Sequence, residues 1–371
     1  MVGHILTINA GSSSVKCSLF ALQSDESLRL VRATTFNETR PAHLLHSIIA
    51  FIDSDSIDAM THRLVHGGNE HTAPCIITDT VVESVHRLVP FDPEHLPLQL
   101  SIVAHLREHF SDCLHIACFD TAFHTDMPLP AQLIPLPKSL RNMGIRRFGF
   151  HGLSYEYLLG QLRQISPAEA HGRIIMAHLG SGASVVAIRD GRSVETTMGL
   201  TPASGIPMST RSGDIDPNLP DFLRRYAKYS SKEVSRTLNF SSGLLGISGL
   251  TSDMKTLIEA SPTHTDAAMA VDVFCHHVKK TIGAYAAVLG GIDTIIFSGG
   301  IGEAAPKIRA RVCDGLDFLG ITLVDDLNTA NSEVISASHA RVKVRVMPTN
   351  EALVMAYHTV SILSLERKES V

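Results

Sequence analysis

The chain has 371 residues, which at roughly 150 residues per domain predicts two domains. Its 32 Lys plus Arg against 37 Asp plus Glu leave a formal charge of −5, which excludes a basic surface built to coat nucleic acid or another polyanion. A 44% hydrophobic composition supplies a large core and excludes wholesale disorder, and no apolar run approaches the ~18 residues of a membrane span.

Met1 to Leu6 lacks a basic region, so no secretory leader is expected. Apolar runs bounded by Gly, Pro, Asp or Asn predict strands over 5–9, 16–22, 59–65, 114–119, 173–179, 184–189, 294–297 and 342–347. Helical spacing predicts a helix over 267–289, ended by Gly290 and Gly291, another over 304–312, and a last one over 351–367. Strands mixed with helices over this length indicate an α/β fold. The Pro-rich stretch 127–137 is a candidate passage between domains. Six scattered cysteines without a C-x-x-C predict reduced thiols, as in the cytoplasm. His62 and His66 lie four apart with no acidic residue between them, so a histidine-based zinc site is not expected.

Two segments repeat one pattern. ILTINAGSSSVKCSLFAL (5–22) and IIMAHLGSGASVVAIR (174–189) each read as strand, Gly/Ser turn, strand, which suggests a duplicated domain. Glycine lets backbone amides approach an anion closely, serine adds donors, and successive amides form a nest for phosphate oxygens. Lys16 puts a charge beside the first turn. The second, His178-Leu179-Gly180-Ser181-Gly182, carries no full charge. A third Gly-rich segment, FSGGIGE (297–303), follows a strand and precedes a helical pattern, so its amides suit a nucleotide. No Walker-type G-x-x-x-x-G-K-[ST] occurs. Arg63, Arg211 and the Arg146-Arg147 pair sit in Gly-containing polar segments, where a guanidinium suits carboxylate and phosphate oxygens. Asp120 and Glu351 follow predicted strands, where α/β folds gather ligand groups, and carboxylates beside phosphate loops most simply hold Mg²⁺.

NAGSSSVK, HRLVHGG, FDTAFH, RRFGFHG, AHLGSGAS, MGLTPASGIPMSTRSGDIDP, SGLLGISG, GGIGEAAPKIR and PTNEAL together resemble the acetate kinase (acetokinase) family, in the family's order and over nearly the whole chain. The resemblance implies an α/β fold of two duplicated ribonuclease-H-like domains, of the actin, Hsp70 and sugar-kinase type, with a cleft between them. It implies a first lobe over 1–126 plus 353–371, with a returning C-terminal helix. A second lobe over 127–352 would carry the nucleotide site and the dimer interface. It also implies a cytoplasmic homodimer with no nucleic-acid or membrane partner. The implied activity is reversible transfer of a phosphoryl group between ATP/ADP and acetate or a similar short-chain carboxylate, with Mg²⁺ or Mn²⁺.

Carried over by position, Asn9 and Glu351 are the implied metal positions. Lys16 and Ser14 are implied phosphate ligands. Arg63 binds the substrate, and Val65, Phe91, Phe150 and Pro202 surround its alkyl group. Asp120 is the implied catalytic aspartate, with His151 and Arg211 stabilising the transition state. His178, Leu179, Gly180, Ser181 and Gly182 form one implied ATP loop. Gly300, Ile301, Gly302, Glu303 and Ala304 form a second, and Asp253, Met254 and Lys255 an adenosine contact.

Four positions depart from the family's pattern. Ser181 replaces an asparagine, Tyr155 a histidine, and Lys255 an arginine. The Pro90-Phe91-Asp92-Pro93 turn is one residue shorter. Phe91 is expected to make the alkyl pocket shallower and favour acetate, and Asp92 to point away from the substrate carboxylate. The alternatives are a kinase preferring propionate or butyrate, or a nucleotide-binding relative with little turnover.

Overall fold

The computed structural model describes residues 3–11, 14–37, 41–52 and 56–369. The expected Gly/Ser turn at 9–16 includes Ser12 and Ser13, which lie outside the described residues. The strands are β1 Gly3–Ala10, β2 Val15–Leu22, β3 Leu28–Phe36, β4 Ala59–Leu64, β5 Cys75–Ile76, β6 Leu114–Phe119, β7 Arg173–Leu179, β8 Ala183–Arg189, β9 Arg192–Thr196, β10 Thr294–Ser298 and β11 Lys343–Val346. Seven helices bear on function: α1 Leu96–His109, α2 Gly152–Ile165, α3 Met254–Ala260, α4 Thr265–Leu289, α5 Gly299–Ala304, α6 Pro306–Cys313 and α7 Glu351–Glu369.

The chain forms two compact units. The first holds Met1–Thr125, Phe150–Tyr157 and Asn350–Val371; the second holds Asp126–Gly149 and Leu158–Thr349.

The first unit is built on a six-stranded sheet ordered β3-β2-β1-β4-β6-β5. β1, β2 and β3 pair antiparallel; β4 and β6 extend the sheet in parallel. Alternation along β1 decides what covers each face. Leu6 and Ile8 join a cluster with Leu44, Ile48, Ile102 and Leu106 from helices on one side. Ile5, with Phe20 of β2, meets Ala356 and Val360 of α7. A sheet covered on both faces explains why β1 and β6 read as nearly continuous apolar runs.

The second unit holds a five-stranded sheet ordered β11-β10-β7-β8-β9. Its β7, β8 and β9 pair antiparallel, and β10 and β11 add in parallel. Strand for strand, β9-β8-β7-β10-β11 repeats β3-β2-β1-β4-β6. The duplication read from the two Gly/Ser hairpins is therefore a duplication of topology. α4 buries Val271, Phe274, Val278 and Ile282 at helical spacing, and Gly290 closes it in the left-handed conformation.

One expected element is corrected. The helix over 304–312 is two helices, α5 and α6, because Ala305 is non-helical (φ −112°, ψ 82°) and Pro306 opens α6. Proline restricts the residue before it and suits the first helical position. β3, β5 and β9 were not expected. β3 is an edge strand with mixed exposure, so its sequence lacks a clean period. Among the described residues no helix is long and apolar enough to cross a membrane.

Candidate active site

In the first unit, three parallel strands deliver polar side chains at or just beyond their carboxyl ends. Asn9 lies near the end of β1, Arg63 near the end of β4 and Asp120 one residue past β6. Glu351 opens α7, the only one of the four brought by a helix. Arg63 links them. Its Nε donates to Asp120 Oδ1 at 2.9 Å and its Nη2 to Asp120 Oδ2; its Nη1 donates to Asn9 Oδ1 at 3.0 Å. Asn9 Nδ2 donates to Glu351 Oε2 at 2.6 Å. Lys16 is the cross-strand partner of Asn9 in the β1–β2 register and is exposed.

Asp120 is 1% exposed. Burial pushes its carboxyl up, against the opposite pull of Arg63. The same burial pulls the Arg63 guanidinium down, but the attraction of Asp120, helped by Glu351 and Asp92, more than reverses it. Geometry decides for the ion pair: both carboxylate oxygens accept from one guanidinium, which a protonated acid could not do as well.

His151 stands at φ 58°, a left-handed conformation uncommon for a residue with a side chain. The adjoining Gly152 explains it. Gly152 N donates to Asp120 O at 3.0 Å, and a Cβ on Gly152 would lie 2.1 Å from that oxygen. The backbone of the Asp120 strand end thus fixes His151. Val65 and Phe150 are buried and Phe91 is half-buried. The His66 ring lies 5.7 Å from the ring of Phe91 and 5.6 Å from that of Phe150. His66 belongs to this apolar group and was not anticipated.

The departures in this unit have structural accommodations. Tyr155 is fully buried against Phe123 and His124. Asp92 accepts from the backbone of Glu94 and His95, and lies 2.9 Å from His95 Nδ1. Burial raises its carboxyl, and the His95 bonds more than reverse that. Its carboxylate is spent on the turn leading into α1. His62, away from this group, is bonded to His115 at 3.0 Å.

The second unit brings together both Gly-rich loops. A Cβ on Gly299 would lie 2.7 Å from Leu179 O, and one on Gly180 would lie 3.9 Å from Gly300 N. The ends of β7 and β10 therefore approach in a way only glycine permits. They open onto a cavity of about 630 Å³ lined by Gly180, Ser181, Asp253, Met254, Lys255, Gly300, Ile301 and Ala304. Ser209, Ile258, Glu259, Pro306 and Lys307, not anticipated, also line it. Expected members outside the lining are His178, Leu179, Gly182, Gly302 and Glu303. Leu179 and Gly302 are buried beneath it. The Glu303 carboxylate faces inward and accepts from Gly299 N at 2.9 Å. Asp253 caps α3, accepting from Thr256 N and Oγ1, both at 2.8 Å.

Arg309, also missed, holds the second loop from below. It is fully buried, and its Nη1 donates to Gly302 O and Glu303 O, both at 2.9 Å. Arg211 Nη1 donates to Pro202 O at 3.1 Å.

Among the described residues no group of three or more His, Cys, Asp or Glu is arranged for a metal ion. The oxygen donors of Asp120, Glu351 and Asn9 are nevertheless of the hard kind that supports Mg²⁺, which keeps several waters and leans on substrate phosphates.

The profile of the acetokinase family matches residues 38–357. An acetate kinase of Methylocella silvestris is 39% identical over 97% of this chain and 98% of its own. The crystal structure of Porphyromonas gingivalis acetate kinase covers 97% of this chain and 100% of its own at 31% identity, with a TM-score of 0.84. A propionate kinase structure from Francisella tularensis covers 96% and 98% at 30% identity, with a TM-score of 0.87. The chain belongs to the acetokinase family, phosphotransferases that use ATP or ADP as co-substrate and a carboxylate as phosphoryl acceptor.

Proposed function

We propose that this protein is a Mg²⁺-dependent acetate kinase that reversibly transfers the γ-phosphoryl group of ATP to acetate, in the cytoplasm and as a homodimer. The observation that carries the site assignment is the Arg63-centred network joining Asp120, Asn9 and Glu351.

Transfer passes through a loose, in-line transition state, so positioning and charge stabilisation dominate. An acetate oxygen bonds to the γ-phosphorus as the bond to the β–γ bridging oxygen breaks, giving acetyl phosphate and ADP. Acetate is already ionised at neutral pH, so no general base is needed. A guanidinium carries five N–H donors; three of Arg63's bind Asp120 and Asn9, leaving others for the acetate carboxylate. His151 and Arg211 stabilise the equatorial oxygens of the moving group. Val65, Phe91 and Phe150 form the apolar side that receives the methyl group.

The network has one cationic and two anionic side chains, with Lys16 as a balancing cation. It therefore offers no surplus positive charge to two anionic substrates. Asp120, Glu351 and Asn9 would hold Mg²⁺ directly or through its waters, and the ion would neutralise phosphate charge there. In the second unit, the amides of the two Gly loops receive the phosphates, and the Met254–Lys255 side receives adenosine.

Hydroxamate trapping of acyl phosphate tests the proposal, with acetate, propionate and butyrate compared at equal ATP. Acetate is expected to give the highest kcat/KM. A higher value with propionate would reassign the acid, a reading favoured only if the half-buried Phe91 ring turns aside. No product from any acid, with ATP still bound, would leave a nucleotide-binding protein without turnover.

A further inference from the structure

β1 and β4 pair in parallel from Ile5–Ala59 to Ile8–His62. Their next residues, Asn9 and Arg63, belong to the proposed centre, where side chains rather than backbone must meet. Gln99, in the first turns of α1, lies beside this opening and is 2% exposed. Its Oε1 accepts from Val65 N at 2.9 Å, and its Nε2 donates to Ala10 O at 2.9 Å. Ala10 follows Asn9, and Val65 lies two residues beyond Arg63. One planar amide thus closes the backbone between the two strand ends.

We propose that Gln99 is a positioning residue for phosphoryl transfer: its side-chain amide fixes the separation of Asn9 and Arg63 by bridging Ala10 and Val65. This rests on the assignment of Asn9 and Arg63 to the active site. Only a side chain with one donor and one acceptor on the same rigid group serves both backbone atoms. The Asn9 Oδ1 to Arg63 Nη1 contact of 3.0 Å depends on that spacing. Immediately after Ala10, Gly11 N donates to Ser14 O at 2.9 Å. The shortened turn upstream acts through the same helix. Asp92 ties down His95, and Gln99 N donates to His95 O at 3.1 Å. A displacement near 1 Å in a catalytic group costs up to about a hundredfold in rate.

The test is Gln99→Met, which keeps length and burial but loses the bridging donor and acceptor. The acetate KM and the Mg²⁺ half-saturation concentration should each rise about tenfold, with the ATP KM unchanged because the nucleotide cavity is built from other elements. Combined with Arg63→Lys, the loss in kcat/KM should be clearly non-additive, as expected when one residue acts through the other. Unchanged kinetics, an additive double variant, or equal losses for acetate, Mg²⁺ and ATP alongside a lowered melting temperature would overturn the proposal. If Gln99→Met does not fold, Gln99→Glu answers the same question. It keeps an acceptor for Val65 N but sets a carboxylate oxygen against the Ala10 carbonyl, so a rise at least as large in the same two constants is expected, and no rise overturns the proposal. An Arg63→Ala enzyme with normal turnover would remove the site assignment itself. An inactive Arg63→Ala enzyme beside an unaffected Gln99→Met enzyme would remove only the role of Gln99.

Discussion

Arg63 grips both carboxylate oxygens of Asp120, with Nε to Oδ1 at 2.9 Å and Nη2 to Oδ2. The arrangement couples stability to the proposed chemistry. Removing one member of a buried pair leaves the other uncompensated, at about 3–5 kcal/mol. Arg63→Ala should therefore lower the melting temperature strongly. Adding Asp120→Asn should restore part of that loss and none of the turnover. Calorimetry on the three variants checks this; a double variant no more stable than Arg63→Ala would show that the pair is not the source of the loss.

Asp120→Asn alone separates two roles for the carboxylate. If Asp120 organises Mg²⁺ and its waters, the loss in turnover should shrink as Mg²⁺ is raised. A fixed loss at every Mg²⁺ concentration would instead point to direct participation in transfer.

His151 allows a test that spares the fold. Its left-handed backbone, φ 58°, is one that glycine adopts without strain. His151→Gly should leave the melting temperature nearly unchanged while lowering kcat by a hundredfold or more, about 3 kcal/mol for one lost transition-state donor. Arg211→Ala should lower kcat similarly. Full turnover in either would dismiss that residue from the transition state.

Much of this was legible in the sequence, for physical reasons. β1, β6, β7 and β10 are buried on both faces, so their apolar runs stand out. β3, Leu28–Phe36, is half polar at a sheet edge and gives no such signal. Asn9, Arg63, Asp120 and Glu351 could each be picked out by motif. That Arg63 and Asp120 pair could not, because 57 residues separate them. Gln99 and Arg309 were hidden for a different reason. Gln99 serves backbone atoms, and Arg309 serves backbone carbonyls and the side chains of Asn328 and Asn331, so neither has a charged partner to search for. Pro306 signals the break at Ala305, because proline restricts the residue before it.

Ser181 lines the cavity proposed to receive the nucleotide and is exposed there. An asparagine at this position would reach farther and add an amide donor towards the phosphates. Ser181→Asn should lower the ATP KM several-fold, with the acetate KM unchanged, in initial-rate kinetics. A raised ATP KM would mean that the loop has adapted to the smaller side chain.

Acid should destabilise the protein in two separable steps, the histidines of the first unit before Glu169 of the second. Burial pulls the His124 imidazole down to about 4, although its bond to Phe150 O works the other way. Burial also pulls His62 well down. A histidine depressed in the fold is protonated first in the unfolded chain. Its contribution is complete above the ordinary value near 6.5 and is lost as pH falls towards the folded value. For His124, with 1% exposure, that loss reaches about 3 kcal/mol by pH 4. Glu169, in the second unit, behaves differently. Burial raises it, but Arg345, Lys343 and Ser166 hold it at about 2, so its contribution survives until pH drops below its ordinary value of 4.5 and fades towards 2. Melting temperatures from pH 7.5 to 4.5 therefore report the histidines and not Glu169. His124→Gln should flatten the fall across that range, whereas Glu169→Gln should lower stability without changing its slope there. An unaltered slope in His124→Gln would place the acid sensitivity elsewhere, with His62 and His115 the next pair to replace.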